Sequence, residues 1–342
     1  MTIRQILPTD RFAGQEMDGL LRREGIRRDR NLDYSCGLYD EEEELVATGS
    51  CFGNTLRCLA VDGGYRGEGL LVQVVSHLMD VQARRGNLQV FLYTKPENLA
   101  LFESLGFFLI ARTETAAFLE NRREGFRRYC DALQKRSGEK IAAIVMNANP
   151  FTLGHRHLVE QAAKENDVVH LFLLSEDRGP IPAAIRRRLV QQGVADLPNV
   201  ILQETGPYMI SAATFPGYFL KDEDGAIFAQ AKLDLAIFSR IAAHLGIQRR
   251  YVGQEKASHV TALYNAVMAE CLPAMGVECV IIPRLETDGQ VISASTVRQA
   301  IWKDALESVG QMLPESTYAY FASEEAAAVV DAIRREKDVI HY

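Results

Sequence analysis

From residue 141 onward, short and mainly apolar runs alternate with longer amphipathic stretches, and few patterns restrict a fold more. The runs fall at residues 141–146, 168–174, 200–202, 251–252 and 277–282, with the amphipathic stretches near 155–164, 183–194, 231–244 and 260–271. A strand with no polar face must be covered on both sides, and a helix between successive strands supplies that cover. The expectation is a Rossmann-like, doubly wound parallel sheet of the α/β class, with ligands at the carboxyl ends of its strands.

The first part of the chain follows a different rhythm. Residues 34–39 and 45–51 have β character and flank the acidic turn that runs from Asp40 to Glu44, which predicts an antiparallel hairpin, and a third strand is expected at 56–61. The glycine-rich Gly63-Gly64-Tyr65-Arg66-Gly67-Glu68-Gly69 leads into a helix over 70–83, a strand over 88–93, a short helix over 99–105 stopped by Gly106, and a strand over 107–111. This is an α+β pattern with a mixed sheet. An arginine-rich helix over 122–135 and the polar Arg136-Ser137-Gly138-Glu139-Lys140 mark a linker, giving domains of residues 1–136 and 137–342. Two domains also suit the length, at roughly 150 residues each.

The first apolar strand of the second domain runs straight into Asn147-Ala148-Asn149-Pro150-Phe151-Thr152-Leu153-Gly154-His155. Gly154 lets the chain pass close to a phosphate, and the helix that starts there offers unpaired N–H groups and a positive dipole end. His155 and Thr152 are placed to donate hydrogen bonds to phosphate oxygens as charge develops on them. Such a site works by positioning and charge stabilisation. Three further residues each carry two readings: Gly253 as a close approach to adenine or as a turn glycine, Asp177 as a Mg²⁺ ligand or as a helix cap, and Arg186 as a phosphate ligand or as half of a surface ion pair.

Charge and cysteine content remove several function classes. The formal net charge is −7, opposite to what a reader of phosphate backbones carries, so no nucleic-acid binding is expected. No run of about 18 apolar residues occurs, so no membrane span is expected, and Met1-Thr2-Ile3-Arg4-Gln5-Ile6 lacks the basic and apolar regions of a secretory signal. The six cysteines, Cys36, Cys51, Cys58, Cys130, Cys271 and Cys279, form no C-x-x-C pair and read as reduced, mostly buried thiols. A cytoplasmic protein is expected.

Several segments resemble known families. Thr152-Leu153-Gly154-His155 resembles the [HT]-x-G-H signature of the nucleotidyltransferase (cytidylyltransferase-like) superfamily, and Ile292-Ser293-Ala294-Ser295-Thr296-Val297-Arg298 resembles its I-S-S-T-x-[IV]-R motif, with Ala294 at a position usually held by a hydroxyl residue. That likeness implies ATP, bound through Gly154, Ser293, Ser295, Thr296 and Arg186, with Arg298 joining His155 and Thr152 in catalysis. Arg66-Gly67-Glu68-Gly69 resembles the pyrophosphate loop of the GNAT-type N-acetyltransferase fold, with Leu71 where that loop prefers Gly or Ala, and 98–107 resembles a later segment of the same fold. Arg66, Gly67 and Gly69 would then bind a coenzyme-like arm.

The combination, together with Tyr65 to Leu70, Ile144 to His155 and Ala213-Thr214-Phe215-Pro216-Gly217-Tyr218-Phe219, is similar to the citrate lyase ligase family over nearly all of residues 1–320. The resemblance implies an enzyme that uses ATP and Mg²⁺ to attach acetate, through acetyl-AMP, to the thiol of the phosphoribosyl-dephospho-coenzyme A group on the acyl carrier subunit of citrate lyase. It brings Asn147, Asn149 and Phe151 into the ATP site. Residues 208–221, polar and aromatic by turns, are a candidate wall for acetate or the thiol arm, or an ordinary packed loop. Two rivals stand beside this reading: an adenylyltransferase acting on a phosphorylated acceptor such as phosphopantetheine, and an assembly partner without catalysis.

Overall fold

A computed structural model of the chain describes residues 1–175, 179–210, 215–220, 223–255, 259–287 and 289–336. The chain parts into two compact units, one of Met1–Arg128 with Ile210–Ile237 and the other of Tyr129–Met209 with Phe238–Tyr342. The chain therefore crosses between units at 128/129, 209/210 and 237/238, whereas a single boundary after residue 136 was expected. The difference arises because 210–237 follows a strand of one unit yet packs within the other, which periodicity does not report.

The first unit holds β1 (Thr2–Gln5), α1 (Arg11–Arg23), β2 (Tyr34–Tyr39), β3 (Leu45–Phe52), β4 (Thr55–Val61), α2 (Leu70–Arg84), β5 (Phe91–Thr94), α3 (Leu99–Ser104), β6 (Phe108–Arg112) and β7 (Ala117–Glu120). Its seven-stranded mixed sheet runs β1-β2-β3-β4-β5-β7-β6, antiparallel except for β4 against β5. The hairpin and the strand-loop-helix order match expectation. The strand expected from residue 88 begins only at Phe91, and β1, α1 and β7 were not anticipated. β1 reads Thr-Ile-Arg-Gln with an exposed, polar edge, and so carries little apolar signal. α1 did leave a sign, since the Asp10 carboxylate caps it by accepting from the Ala13 N–H. Leu71 packs against the unit's core.

The helix α4 (Gly125–Ala132) follows and is shorter than the arginine-rich stretch suggested, with Phe126 and Cys130 buried. The chain then runs β8 (Ile141–Met146), α5 (Leu153–Glu165), β9 (Val168–Leu173), α6 (Ala183–Gly193), β10 (Val200–Glu204), α7 (Glu223–Leu245), β11 (Arg249–Gly253), α8 (His259–Ala274) and β12 (Glu278–Ile282), all in the second unit except the part of α7 up to Ile237. A short hairpin of β13 (Glu286–Thr287) and β14 (Gln290–Val291) precedes α9 (Ala294–Trp302), and α10 (Glu315–Phe321) and α11 (Ala327–Arg335) close the chain. All five sheet strands are parallel, in the order β10-β9-β8-β11-β12. The chain winds outward from β8 in one direction and returns to wind in the other, which is the doubly wound topology expected. The reversal opens a crevice between the carboxyl ends of β8 and β11. Ala142, Ile144, Val169, Leu171 and Tyr251 of the sheet lie in one core with Val159, Leu189, Val190 and Val297 of the helices, all buried.

Candidate active site

The loop leaving β8 lies at that crevice. Ala148 takes a left-handed φ of 51°, uncommon for a residue with a side chain, and the Asn149–Pro150 bond is cis. The chain then enters α5 through Thr152, an extended residue that caps the helix. The Thr152 Oγ1 accepts from the His155 N–H at 3.4 Å, and the imidazole Nδ1 in turn accepts from the Thr152 N–H at 3.1 Å and lies 2.9 Å from Thr152 Oγ1. This is a capping box with a histidine in place of the usual acidic or amide residue.

The box fixes the chemistry of the ring. A backbone N–H can only donate, so Nδ1 presents a lone pair and the proton of the neutral imidazole sits on Nε2. Burial pushes the His155 pKa down to about 4, and the charges of Arg284 and Arg298 act in the same sense. The ring is therefore a neutral Nε2–H donor at pH 7. Thr152 was expected to reach phosphate with its hydroxyl; instead it is buried, at 1% exposure, and its hydroxyl faces His155, so it positions the imidazole.

The second motif meets the first at two points. A Cβ placed on Gly154 would come within 3.0 Å of the Ile292 carbonyl oxygen, so the glycine permits contact between the start of α5 and the approach to α9. Arg298, buried on α9, donates from Nη1 to the Asn149 carbonyl at 2.5 Å. Ser293 caps α9 by accepting from the Thr296 N–H at 3.1 Å, and its hydroxyl lies 2.7 Å from that of Thr296 and 3.0 Å from that of Ser295. Three hydroxyls thus gather at the start of α9, whose approach touches the start of α5 at Gly154, an arrangement suited to anionic oxygens.

Other expected residues lie elsewhere. Phe151 is a core residue at 0% exposure, packed so closely on Gly193 that a Cβ there would lie 2.4 Å from its ring, and that ring stacks behind the His155 imidazole with centres 5.9 Å apart. Arg186 is no surface ion pair: it is 1% exposed, and its Nη1 donates to the Asn147 carbonyl and Oδ1 at 2.7 and 2.8 Å. Asn147 and Arg186 therefore brace the loop. Asn149 is buried against Gly179, and its Oδ1 has no partner among the described residues, an acceptor held ready in the loop wall. Gly253 ends β11 in the open, its carbonyl accepting from Asn265. Asp177 lies outside the described residues, as do 211–214 and Lys221 of the candidate wall. Of that wall, Tyr208 belongs to the second unit and 215–220 to the first.

Arg284 was missed. It follows β12 at the carboxyl edge of the sheet, donates from Nε to the Gln254 carbonyl at 2.7 Å, and pairs with Glu255. Its charge is felt at His155. A basic residue two positions beyond an apolar strand was the available signal. In the first unit, Arg66 is exposed and paired with Glu24 at 2.5 Å. Gly67 and Gly69 have φ of 90° and 74°, and α2 begins at Gly69 without a side-chain cap, which leaves its first N–H groups to solvent or a ligand.

A family model described as the citrate lyase ligase C-terminal domain matches residues 141–321. The citrate (pro-3S)-lyase ligase of Klebsiella pneumoniae is 37% identical over 319 residues, covering 91% of this chain and 93% of the relative. A GNAT family N-acetyltransferase from Escherichia coli, solved in complex with CoA, covers 36% of this chain and 82% of its own at 21% identity and a TM-score of 0.28. Pantothenate synthetase from Thermus thermophilus covers 58% of this chain and 82% of its own at 18% identity and a TM-score of 0.35.

Proposed function

The chain belongs to the citrate lyase ligase family, and on that premise we propose that it spends ATP to join acetate to the prosthetic-group thiol on the acyl carrier subunit of citrate lyase. Acetate is a poor acyl donor. Its carboxylate attacks the α-phosphorus of ATP, the bond to the β-phosphate oxygen breaks, and pyrophosphate leaves, giving acetyl-AMP. The thiolate of the phosphoribosyl-dephospho-coenzyme A arm then attacks the acetyl carbonyl, the thiol proton passes to solvent, and AMP departs.

The observation that carries the reading is the Thr152–His155 box. It holds an uncharged Nε2–H donor at the mouth of α5, where Gly154 meets the approach to the hydroxyl-bearing start of α9. A preset donor of this kind stabilises the charge that builds on the phosphate oxygens without reorganising at the moment of reaction. Arg298 acts with His155 and Thr152, holding the Asn149 carbonyl. Gly154 and Gly253 give the nucleotide close approach to backbone, and Asn149 offers a buried acceptor. Asn147, Phe151 and Arg186 shape the loop from behind. Mg²⁺ would arrive on the triphosphate, as is usual for this ion. In the first unit, Arg66, Gly67 and Gly69 at the start of α2 receive the phosphates of the coenzyme-like arm.

Among the described residues no helix is long and apolar enough to cross a membrane, and all six cysteines are free. The proposed reaction needs ATP and a reduced thiol on the carrier, which the cytoplasm supplies. The test is acetate-dependent exchange of labelled pyrophosphate into ATP. His155→Ala should lose on the order of 100-fold, the scale of one transition-state donor. Exchange at the wild-type rate in a folded variant would remove His155 from the chemistry, and AMP retained in a dinucleotide product would favour an adenylyltransferase.

A further inference from the structure

In the first unit, β4 and β5 pair over a short distance only. Thr55 and Leu56 have parallel partners in Phe91 and Leu92, although β4 continues to Val61 and β5 to Thr94. The Phe91 N–H donates to the Asn54 carbonyl at 2.9 Å, which sets the parity of the edge. In a parallel pair alternate residues turn their N–H and C=O toward the partner, so 54, 56 and 58 face β5. Cys58 thus presents its amide where the ladder has ended, and its left-handed φ of 51° bends β4 at the same point.

A buried strand amide needs an acceptor. Here it is the phenol oxygen of Tyr218, 2.9 Å from the Cys58 nitrogen. The segment 215–220 that brings it packs wholly within this unit. Phe215 stands edge-on to Tyr93 of β5 with ring centres 5.6 Å apart, and Phe219 stands edge-on to both Phe215 and Tyr218. Arg27 donates its backbone N–H to the Tyr218 carbonyl at 3.0 Å and its guanidinium to the carbonyls of Gly217 and Leu220 at 3.3 and 3.1 Å. The segment therefore reaches β4 through Tyr218 and β5 through Phe215. The buried Arg57–Asp29 pair lies alongside, and burial raises the Tyr218 pKa, so the phenol keeps its proton.

We propose that Tyr218 is an internal ligand of the gap between β4 and β5, its phenol oxygen standing where the carbonyl of an extended, amide-bearing ligand would otherwise accept from Cys58. A pantetheine-type chain enters the gap only in competition with that oxygen. This rests on the reading of the first unit as the receiver of the coenzyme-like arm and goes beyond it, and no residue of the second unit takes part.

The test titrates coenzyme A into the full-length protein by calorimetry, comparing wild type with Tyr218→Phe and Phe215→Leu. Removing the hydroxyl leaves the Cys58 amide without its acceptor, and a ligand carbonyl that restores the bond should bind Tyr218→Phe about tenfold more tightly than wild type. Phe215→Leu, which loosens the hold on β5, should move affinity the same way. Melting temperature and pyrophosphate exchange are measured on each variant. Equal affinity in folded variants, tighter binding by wild type, or no binding by any of the three at millimolar coenzyme A overturns the proposal. Absent exchange in wild type would sink the ligase reading instead, while the affinity ratio is read as before.

Discussion

Gly154→Ala isolates the contact between the two motifs with a single carbon. The new Cβ would sit 3.0 Å from the Ile292 carbonyl oxygen, a backbone atom that cannot swing aside. Ordinary contact needs several tenths of an ångström more, so the first turn of α5 and the approach to α9 must move apart. Overpacking of this kind costs about 1–3 kcal/mol, and alanine's better helix propensity returns up to about 1 kcal/mol, so stability should fall by about 0–3 kcal/mol. Activity should suffer more. His155 is the next residue, and a misplacement near 1 Å at a reacting centre costs on the order of 100-fold, so a shift of a few tenths should cost about 10-fold in kcat/KM. Urea denaturation and acetate-dependent pyrophosphate exchange on the same preparation measure the two effects. Unchanged exchange would refute the reasoning, because it would mean that the spacing between the helix starts does not set the position of the imidazole.

Three further outcomes are expected. Burial holds the pKa of His170 at about 4, as it does that of His155, against an ordinary 6.5, so between those values the unfolded chain takes up protons that the folded chain refuses. Stability is then full above pH 6.5 and falls as pH drops toward 4, by on the order of 3 kcal/mol at most per ring. His170→Phe should flatten that slope in urea melts between pH 7 and 5, and an unaltered slope would exclude His170 as a source. Phe151→Ala should cost about 3–5 kcal/mol, whereas Phe151→Leu should leave the KM for ATP unchanged, since the ring lies in the core and not against the nucleotide; a raised KM would contradict its placement. Arg284→Gln removes a cation near the candidate phosphate site and should raise the KM for ATP about 10-fold with a smaller change in kcat, a split visible in steady-state kinetics.

The second unit was legible because its information is local. β8 and β9 are short, mainly apolar runs, β10 to β12 each keep an apolar stretch, and α5 and α9 start at hydroxyl caps, Thr152 and Ser293. The site was legible only in outline. Gly154, His155, Ser293 and Arg298 can be picked out by motif, but whether a side chain faces a ligand or the core depends on the other side of the loop. Phe151 is turned inward by the space at Gly193, and Arg186 is spent on Asn147. Arg284 belongs to no motif, and only the adjacency of β11 and β12 brings it near His155. The segment around Tyr218 was least legible, since its partners, Cys58 and Arg27, lie 160 or more positions away.

The threading of residues 210–237 back into the first unit has a consequence for synthesis. As the polypeptide emerges from the ribosome, the amino-terminal body lacks the hydrogen-bond acceptor for Cys58 until Tyr218 has cleared the exit, and lacks part of α7 until Ile237 has followed. More than half of the other unit's sequence is still untranslated when the strands of the first are ready to pair. Nascent chains should therefore carry an unfilled gap between β4 and β5 for longer than the order of units along the gene would suggest, and a fragment ending near residue 136 should inherit that defect permanently.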